Sequence, residues 1–199
     1  MSDVFLSPKN KGDSLYKEKG SKFFGFCIKV SNVDEAKAEV KNIAKEYYDS
    51  RHVCFAYRIN PLNPLERAND DGEPSNTAGT PILNQIYSFE AFDILVVVVR
   101  YFGGTKLGVP GLIRSYKQAA KEAIQNAELK EHILSKELKL SSDYAHVDKM
   151  MRFVKKHQLP IIQQKSDVVM TLIVEVRLSI LELIEELLSK EIHIIFEKT

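Results

Sequence analysis

Asp93–Tyr101 reads DILVVVVRY, with Ile94–Val99 apolar at every position. A strand with one wet face alternates apolar and polar residues. An unbroken apolar run belongs to a central strand covered on both faces. Two charged, glycine-rich stretches flank it, DDGEPSNTAGTPIL (Asp70–Leu83) before and RYFGGTKLGVPGLIRSY (Arg100–Tyr116) after. Gly, Pro, Asn and Asp mark loops, and here they are mixed with Arg, Lys, Glu, Ser and Thr. Each loop leads into a helix-like pattern, and a helix start beside glycine offers free N–H groups to an anion. The expectation is one polar site built from two loops beside one buried strand. The plainer alternative is that the glycines only make tight turns.

Before this region, GSKFFGFCIKV (20–30) reads as a strand after a turn at Gly20. Val33–Tyr48 reads as a helix. Asn32 and Glu35 have capping-box spacing at its start, and Ala36, Val40, Ile43, Ala44 and Tyr47 recur on one face. His52–Ile59 is a short strand. A loop with Pro61, Pro64 and Pro74 follows, then a short helix within Thr77–Phe89. Leu112–Leu129 is a helix that buries Leu112, Tyr116, Ala120, Ala123 and Ala127. The pattern resets near Lys130–Ser135. Glu137–Ser142 is a strand, Ala145–His157 a helix, and Pro160–Lys165 and Asp167–Arg177 two strands with a turn at Ser166–Asp167. Ile180–Lys190 is a helix and Ile192–Glu197 a last strand. Val168, Met170, Leu172, Val174 and Val176 share one face of the third strand. The order βαββαβ is the ferredoxin-like arrangement. The expected class is α+β in two domains, residues 1–130 and 135–199.

Composition is that of a globular chain, 44% apolar and 28% charged over 199 residues. The net charge is +1, split as +2 over residues 1–130 and −1 over 131–199, so neither part is a basic nucleic-acid arm. Any anion site must come from local clustering. No apolar run is long enough to span a bilayer, and MSDVFLSPKNKGD lacks the apolar core of a signal peptide. Cys27 and Cys54 are too few for a secreted disulfide framework. The expectation is a cytoplasmic chain with reduced thiols, no membrane contact and no disulfide-linked partner.

Candidate site residues cluster in the two loops. Arg100 ends the apolar run and Lys106 lies in the glycine loop. Arg114, Lys117 and Lys121 fall at i, i+3 and i+7 on the next helix. With Gly103, Gly104 and Gly108 these cations suit a phosphate held by backbone N–H groups. For Lys117 and Lys121 a solvated helix face is the competing reading. GGTKLGVPG lacks the spacing of a Walker loop. In the supporting loop, Asp70, Asp71 and Glu73 precede Ser75 and Thr77. Carboxylates with hydroxyls suit Mg²⁺ or a general base. Helix capping by Ser75 or Asn76, with an ion pair from Asp71 or Glu73 to Arg100 or Arg114, is the preferred reading. His52 and Cys54 share one side of their strand, yet nothing around Cys54 marks a nucleophile, so an inert thiol is expected. His132, His146, His157 and His193 show no metal-ligand spacing; neither metal nor cofactor is expected. The first and third strands of the second domain carry no aromatic, so base stacking on that sheet is not expected. Its first helix is basic (Lys149, Arg152, Lys155, Lys156) and its second acidic (Glu182, Glu185, Glu186).

HVCFAYRIN (52–60), DDGEPSNTAGTPIL and VVVVRYFGGTKLGVPGLIRSY, with SKFFG near the start, resemble the IMPACT family, which includes the bacterial YigZ-like proteins. The match covers about residues 20–120, and 135–199 resembles the small C-terminal domain of bacterial members. The resemblance implies an N-terminal domain with the fold of a small-subunit ribosomal protein domain and of domain four of elongation factor G. It also implies a ferredoxin-like second domain similar to elongation-factor modules. Eukaryotic members regulate translation by binding a protein that activates a stress kinase, partly through a domain absent from this sequence. Two departures fall in the loops. Asn76 stands where the family usually has Gly, and Val109–Pro110 replaces a Thr-Gly-like pair, with Pro110 removing one N–H. Two functions follow as expectations. One is a binding or regulatory protein docking RNA, the ribosome or a translation-related partner through Arg100, Lys106 and Arg114. The other is an enzyme on a small phosphorylated or peptide substrate, with Asp71 or Glu73 as acid or base.

Overall fold

The computed structural model describes residues 3–198; the outermost ends of both expected domains, residues 1–2 and 199, lie outside the described residues. The chain divides into two compact units, residues 5–132 and residues 133–198 joined by residues 3–4.

The first unit runs β1 (Val4–Pro8), β2 (Gly12–Glu18), β3 (Ser21–Lys29), α1 (Val33–Glu46), β4 (His52–Ile59), β5 (Leu65–Asn69), α2 (Gly79–Ser88), β6 (Ile94–Tyr101), α3 (Gly108–Ala127) and β7 (Leu129–Ile133). Five strands form a sheet in the order β2-β3-β6-β4-β5, antiparallel throughout, and β1 pairs with β7. The apolar run is the middle strand, and Ile94–Val99 are all fully buried. Ile94, Val96 and Val98 pack in one core with Ile82 and Ile86 of α2 and Tyr116, Ala120 and Ile124 of α3. Leu95, Val97 and Val99 pack in a second core with Ala36 and Ile43 of α1. Each such side chain contributes roughly 1.5–3 kcal/mol by leaving water. The unit is therefore pinned at β6, and the loops at its ends are held by a rigid frame.

Helix α1 starts as its spacing predicts. Asn32 Oδ1 accepts the Glu35 N–H at 2.8 Å, and Glu35 reaches back to the Ser31 N–H at 2.7 Å. Several segments differ from expectation, and strands β1, β2 and β7 have no counterpart in the sequence reading. Residues 65–69, expected as loop, form edge strand β5 against β4. Helix α3 begins at Gly108 rather than Leu112. Gly and Pro hide the first turn from a periodicity reading, although Pro there costs no hydrogen bond.

The second unit runs β8 (Ser135–Ser142), a 3₁₀ turn (Tyr144–His146), α4 (Val147–Lys156), β9 (Ile161–Ser166), β10 (Met170–Arg177), α5 (Leu178–Ser189) and β11 (Ile195–Lys198). The sheet order is β11-β8-β10-β9, antiparallel, with the first and third strands central. That is the ferredoxin-like order. Leu138, Leu140, Leu172, Val174 and Val176 face Met150, Phe153, Ile184 and Leu188 in one core. Val168, expected on the buried face of the third strand, is instead 87% exposed in the β9–β10 turn. The last strand begins at Ile195 rather than Ile192.

Candidate functional site

The two loops meet at the end of β6. They border one cavity of about 460 Å³. The first loop contributes Gly72–Pro74, the second Phe102 and Lys106–Val109, and β4 contributes His52 with Arg51 just before it. Strand pairing sets this up. Arg100 lies opposite His52 on one side and Phe23 on the other, so all three point to the face covered by α2 and α3.

Glu73 and Arg100 form the buried centre. Arg100 Nη1 donates to Glu73 Oε1 at 2.5 Å, and the two side chains are 7% and 3% exposed. The Tyr116 hydroxyl donates to the same oxygen at 2.9 Å. Burial first, then the neighbouring Cys54 and Glu73, push the Tyr116 hydroxyl far above its usual range. His52 Nε2 is 3.8 Å from Glu73 Oε1. Its Nδ1 is 2.7 Å from the Asp71 carbonyl oxygen; a carbonyl only accepts, so Nδ1 carries the hydrogen. The Arg100 guanidinium also lies 5.5 Å from the Phe23 ring and 5.7 Å from the Phe102 ring. Arg100 Nε is buried and has no hydrogen-bond partner among the described residues. A buried guanidinium donor left unmade is costly, and this one belongs to a side chain that lines the cavity.

The rim adds charge. Arg51 and Lys106 line the cavity, are exposed, and form no ion pair among the described residues. Helix α3 has no side-chain cap at Leu107 and no acidic residue in its first turn. Gly108 and Val109, which open it, also line the cavity, so the positive end of a twenty-residue helix dipole faces the space. Arg51, Arg100 and Lys106 against Glu73 leave an excess of positive charge. Pro74, Phe102, Leu107, Val109 and Leu112 supply apolar surface.

The remaining site residues have other surroundings. Asp71 supports the loop: its carboxylate accepts the Val53 N–H at 2.7 Å. Thr77 is buried and its hydroxyl donates to the Pro74 carbonyl at 2.6 Å. Ser75 is exposed. The expected cap at Ser75 or Asn76 is corrected. Asp70 caps α2 from a distance, accepting from Asn76 N–H at 2.9 Å, Ala78 N–H at 2.9 Å and Gly79 N–H at 2.8 Å. Gly103 lets two backbones touch, since a Cβ there would fall 1.9 Å from the Gly20 carbonyl carbon. Gly104 takes φ +85° with open space around it. Arg114 and Lys117 are exposed on α3 and do not line this cavity; Lys117 instead borders a groove with Asn76, Thr80 and Asn84. Of the charged and aromatic side chains that line the cavity, Arg51, His52 and Phe102 lie outside the site residues expected from sequence. His52 enters through the strand register that sets it opposite Arg100, which linear spacing does not carry.

Cys54 is fully buried, 3.0 Å from the Asp70 carbonyl oxygen, and burial pushes its thiol well above the ordinary range. No group of three His, Cys, Asp or Glu side chains among the described residues is placed to hold a metal.

Residues 19–124, which contain both loops, match the model of the Impact N-terminal domain. The chain belongs to the IMPACT family. The IMPACT family member YvyE of Bacillus subtilis is 34% identical over 158 residues, covering 79% of this chain and 73% of that protein. The family member YigZ of Escherichia coli is 36% identical over 109 residues, 54% of this chain and 53% of that protein. A crystal structure of a hypothetical protein, 24% identical, covers 98% of this chain and 97% of its own with a TM-score of 0.68; this likeness is one of fold. No described helix is long and apolar enough to cross a membrane. Asn76 sits at φ +62°, the left-handed region that favours Gly and, after it, Asn.

Proposed function

We propose that this IMPACT family chain is a translation-related binding protein whose cavity at the end of β6 receives a phosphate of RNA, free or in the ribosome. The family supports the translation-related part. The observation that carries the rest is Arg100, buried, held on one edge by Glu73, with Nε unmatched beside a cavity rimmed by Arg51, Lys106 and the uncapped start of α3. Such a site favours an anion through fixed N–H groups and unpaired cations. The overall charge of +1 gives no long-range attraction, so affinity rests on this cluster. The enzyme reading draws less from the geometry. The Asp71 carboxylate is engaged by the Val53 N–H, and Glu73 by Arg100 and Tyr116.

The test is fluorescence anisotropy with a labelled RNA oligomer over a salt series. Binding is expected to be weak, nearly sequence-independent and steeply salt-dependent. Lys106→Glu is expected to weaken it about tenfold and flatten the salt slope by about one. Lys155→Glu, on exposed α4, should do far less. Equal losses from both would point to diffuse surface charge, and no RNA or ribosome binding at low salt would sink the reading.

A further inference from the structure

A second hollow of about 370 Å³ adjoins the cationic cavity, and Phe102 lines both. Its character is different. Phe24, Tyr47 and Tyr101 border it together with Lys22 and Asp49. Phe24 is the hub, 5.6 Å from Tyr47 and edge-on to Tyr101 at 5.9 Å. The Tyr101 hydroxyl donates to Asp49 Oδ1 at 2.6 Å, which fixes its ring. Lys22 and Asp49 cancel in charge. Phe102 is 44% exposed, with the Arg100 guanidinium 5.7 Å from its ring. An exposed aromatic thus stands between a cation-rich space and a neutral, aromatic-lined one.

From this juxtaposition, and resting on the phosphate reading above, we infer that the ligand is single-stranded RNA, with a nucleobase entering the aromatic hollow beside Phe102 while the adjoining phosphate occupies the Arg51–Arg100–Lys106 cavity. The two halves of a nucleotide match the two hollows. An unpaired base offers a π face to aromatic rings, whereas a duplex keeps its faces stacked internally. Asp49 makes the aromatic hollow a poor second phosphate site. An acidic peptide would use the cationic cavity and leave the aromatic one without a partner.

The test compares four RNA probes and three variants, Phe102→Ala, Phe102→Trp and Lys106→Glu, by anisotropy: a single-stranded oligomer, the same oligomer annealed to its complement, one carrying abasic residues, and one carrying 2-aminopurine. Phe102 is exposed, so Phe102→Ala preserves the fold, which a melting curve verifies. The variant is expected to weaken the single strand roughly five- to a hundred-fold, the range of one lost base–aromatic stack. It should change duplex and abasic affinity by less than about twofold, and Phe102→Trp should restore binding. 2-Aminopurine fluorescence should fall on binding the parent protein and not on binding Phe102→Ala. If Phe102→Ala has no effect while Lys106→Glu still weakens binding, the stacking inference is overturned and the phosphate site stands. Equal losses on native and abasic strands also overturn it. If Lys106→Glu has no effect, the phosphate reading fails and this inference with it.

Discussion

At the residue scale, the sequence shows which loops meet but not which side chains pair. Charge complementarity between DDGEP and the Arg100–Arg114 segment predicts convergence, and Glu73 with Arg100 delivers it. That Arg100 rather than Arg114 is the partner follows from strand register, because Arg100 points into the α2–α3 face beside His52. Linear spacing does not carry that information. Asn76 is the opposite case. The resemblance implies Gly at this position, and Asn76 takes φ +62°, a backbone conformation that Gly and, after it, Asn adopt. The side chain also contributes, since Asn76 Oδ1 accepts the Thr80 hydroxyl at 2.9 Å. Asn76→Gly is therefore expected to change stability by only a few tenths of a kcal/mol, flexibility offsetting the lost bond. Asn76→Ala keeps the strain and loses the bond, and should cost about 1–2 kcal/mol. Urea denaturation of the two variants checks this; an Ala variant as stable as the Gly variant would show that the left-handed backbone is not what selects the residue.

At the element scale, legibility tracks burial. Strand β6 and helices α1, α4 and α5 announce themselves because each buries a periodic or continuous apolar set. Strands β2 and β5 do not. GDSLYKE and LERAN are edge strands with mostly polar sequences, and residues 65–68 are exposed on both faces. Backbone pairing and a few polar side-chain contacts, such as Ser14 to the Ala119 carbonyl and Glu66 to Arg58 and Tyr87, hold them, and neither leaves an apolar period in the sequence. Helix α2 was legible while its cap was not. Its N-cap position is Ala78, and the cap comes from Asp70, eight residues upstream, across a turn that only the folded loop closes. Ala78 and Gly79 are buried, so water cannot replace the carboxylate. Asp70→Ala is expected to cost about 2 kcal/mol and to loosen the loop that presents Glu73. Amide exchange should quicken at Ala78 and Gly79 well before the rest of the unit. Unchanged exchange there would mean that the pairing of Glu73 with Arg100 alone holds the loop.

At the scale of the whole molecule, proton affinity is unevenly distributed. Tyr16, Cys27, Tyr47, Cys54, Tyr87, Tyr101 and Tyr116 all have their pKa raised, and all seven lie in the unit 5–132. Burial is the leading cause for both thiols and for Tyr116, and burial lifts Cys27 to about 12 from an ordinary value of 9.0. For Tyr101 the leading cause is its hydrogen bond to Asp49, which lifts it to about 12 from 10.0. In each case the folded state holds the proton to higher pH than the unfolded chain does. The stability tied to the neutral form is therefore complete below the ordinary pKa and drains away as pH rises through the window up to the folded value. For each of the fully buried groups Cys27, Cys54 and Tyr116 the slope is about 1.4 kcal/mol per pH unit once the unfolded group ionises. Two thiols act first, the tyrosine next. The unit 5–132 is expected to lose thermal stability gently from about pH 9 and steeply above about pH 10. Replacing Cys27 and Cys54 together by Ala should flatten the first part of that fall and leave the steep part, which belongs to tyrosine. Circular dichroism melts across the range, with tyrosinate absorbance as a second probe, measure both. A midpoint that stays level up to about pH 11, or a double variant whose early decline matches the parent, would show that these groups titrate alike in folded and unfolded chains.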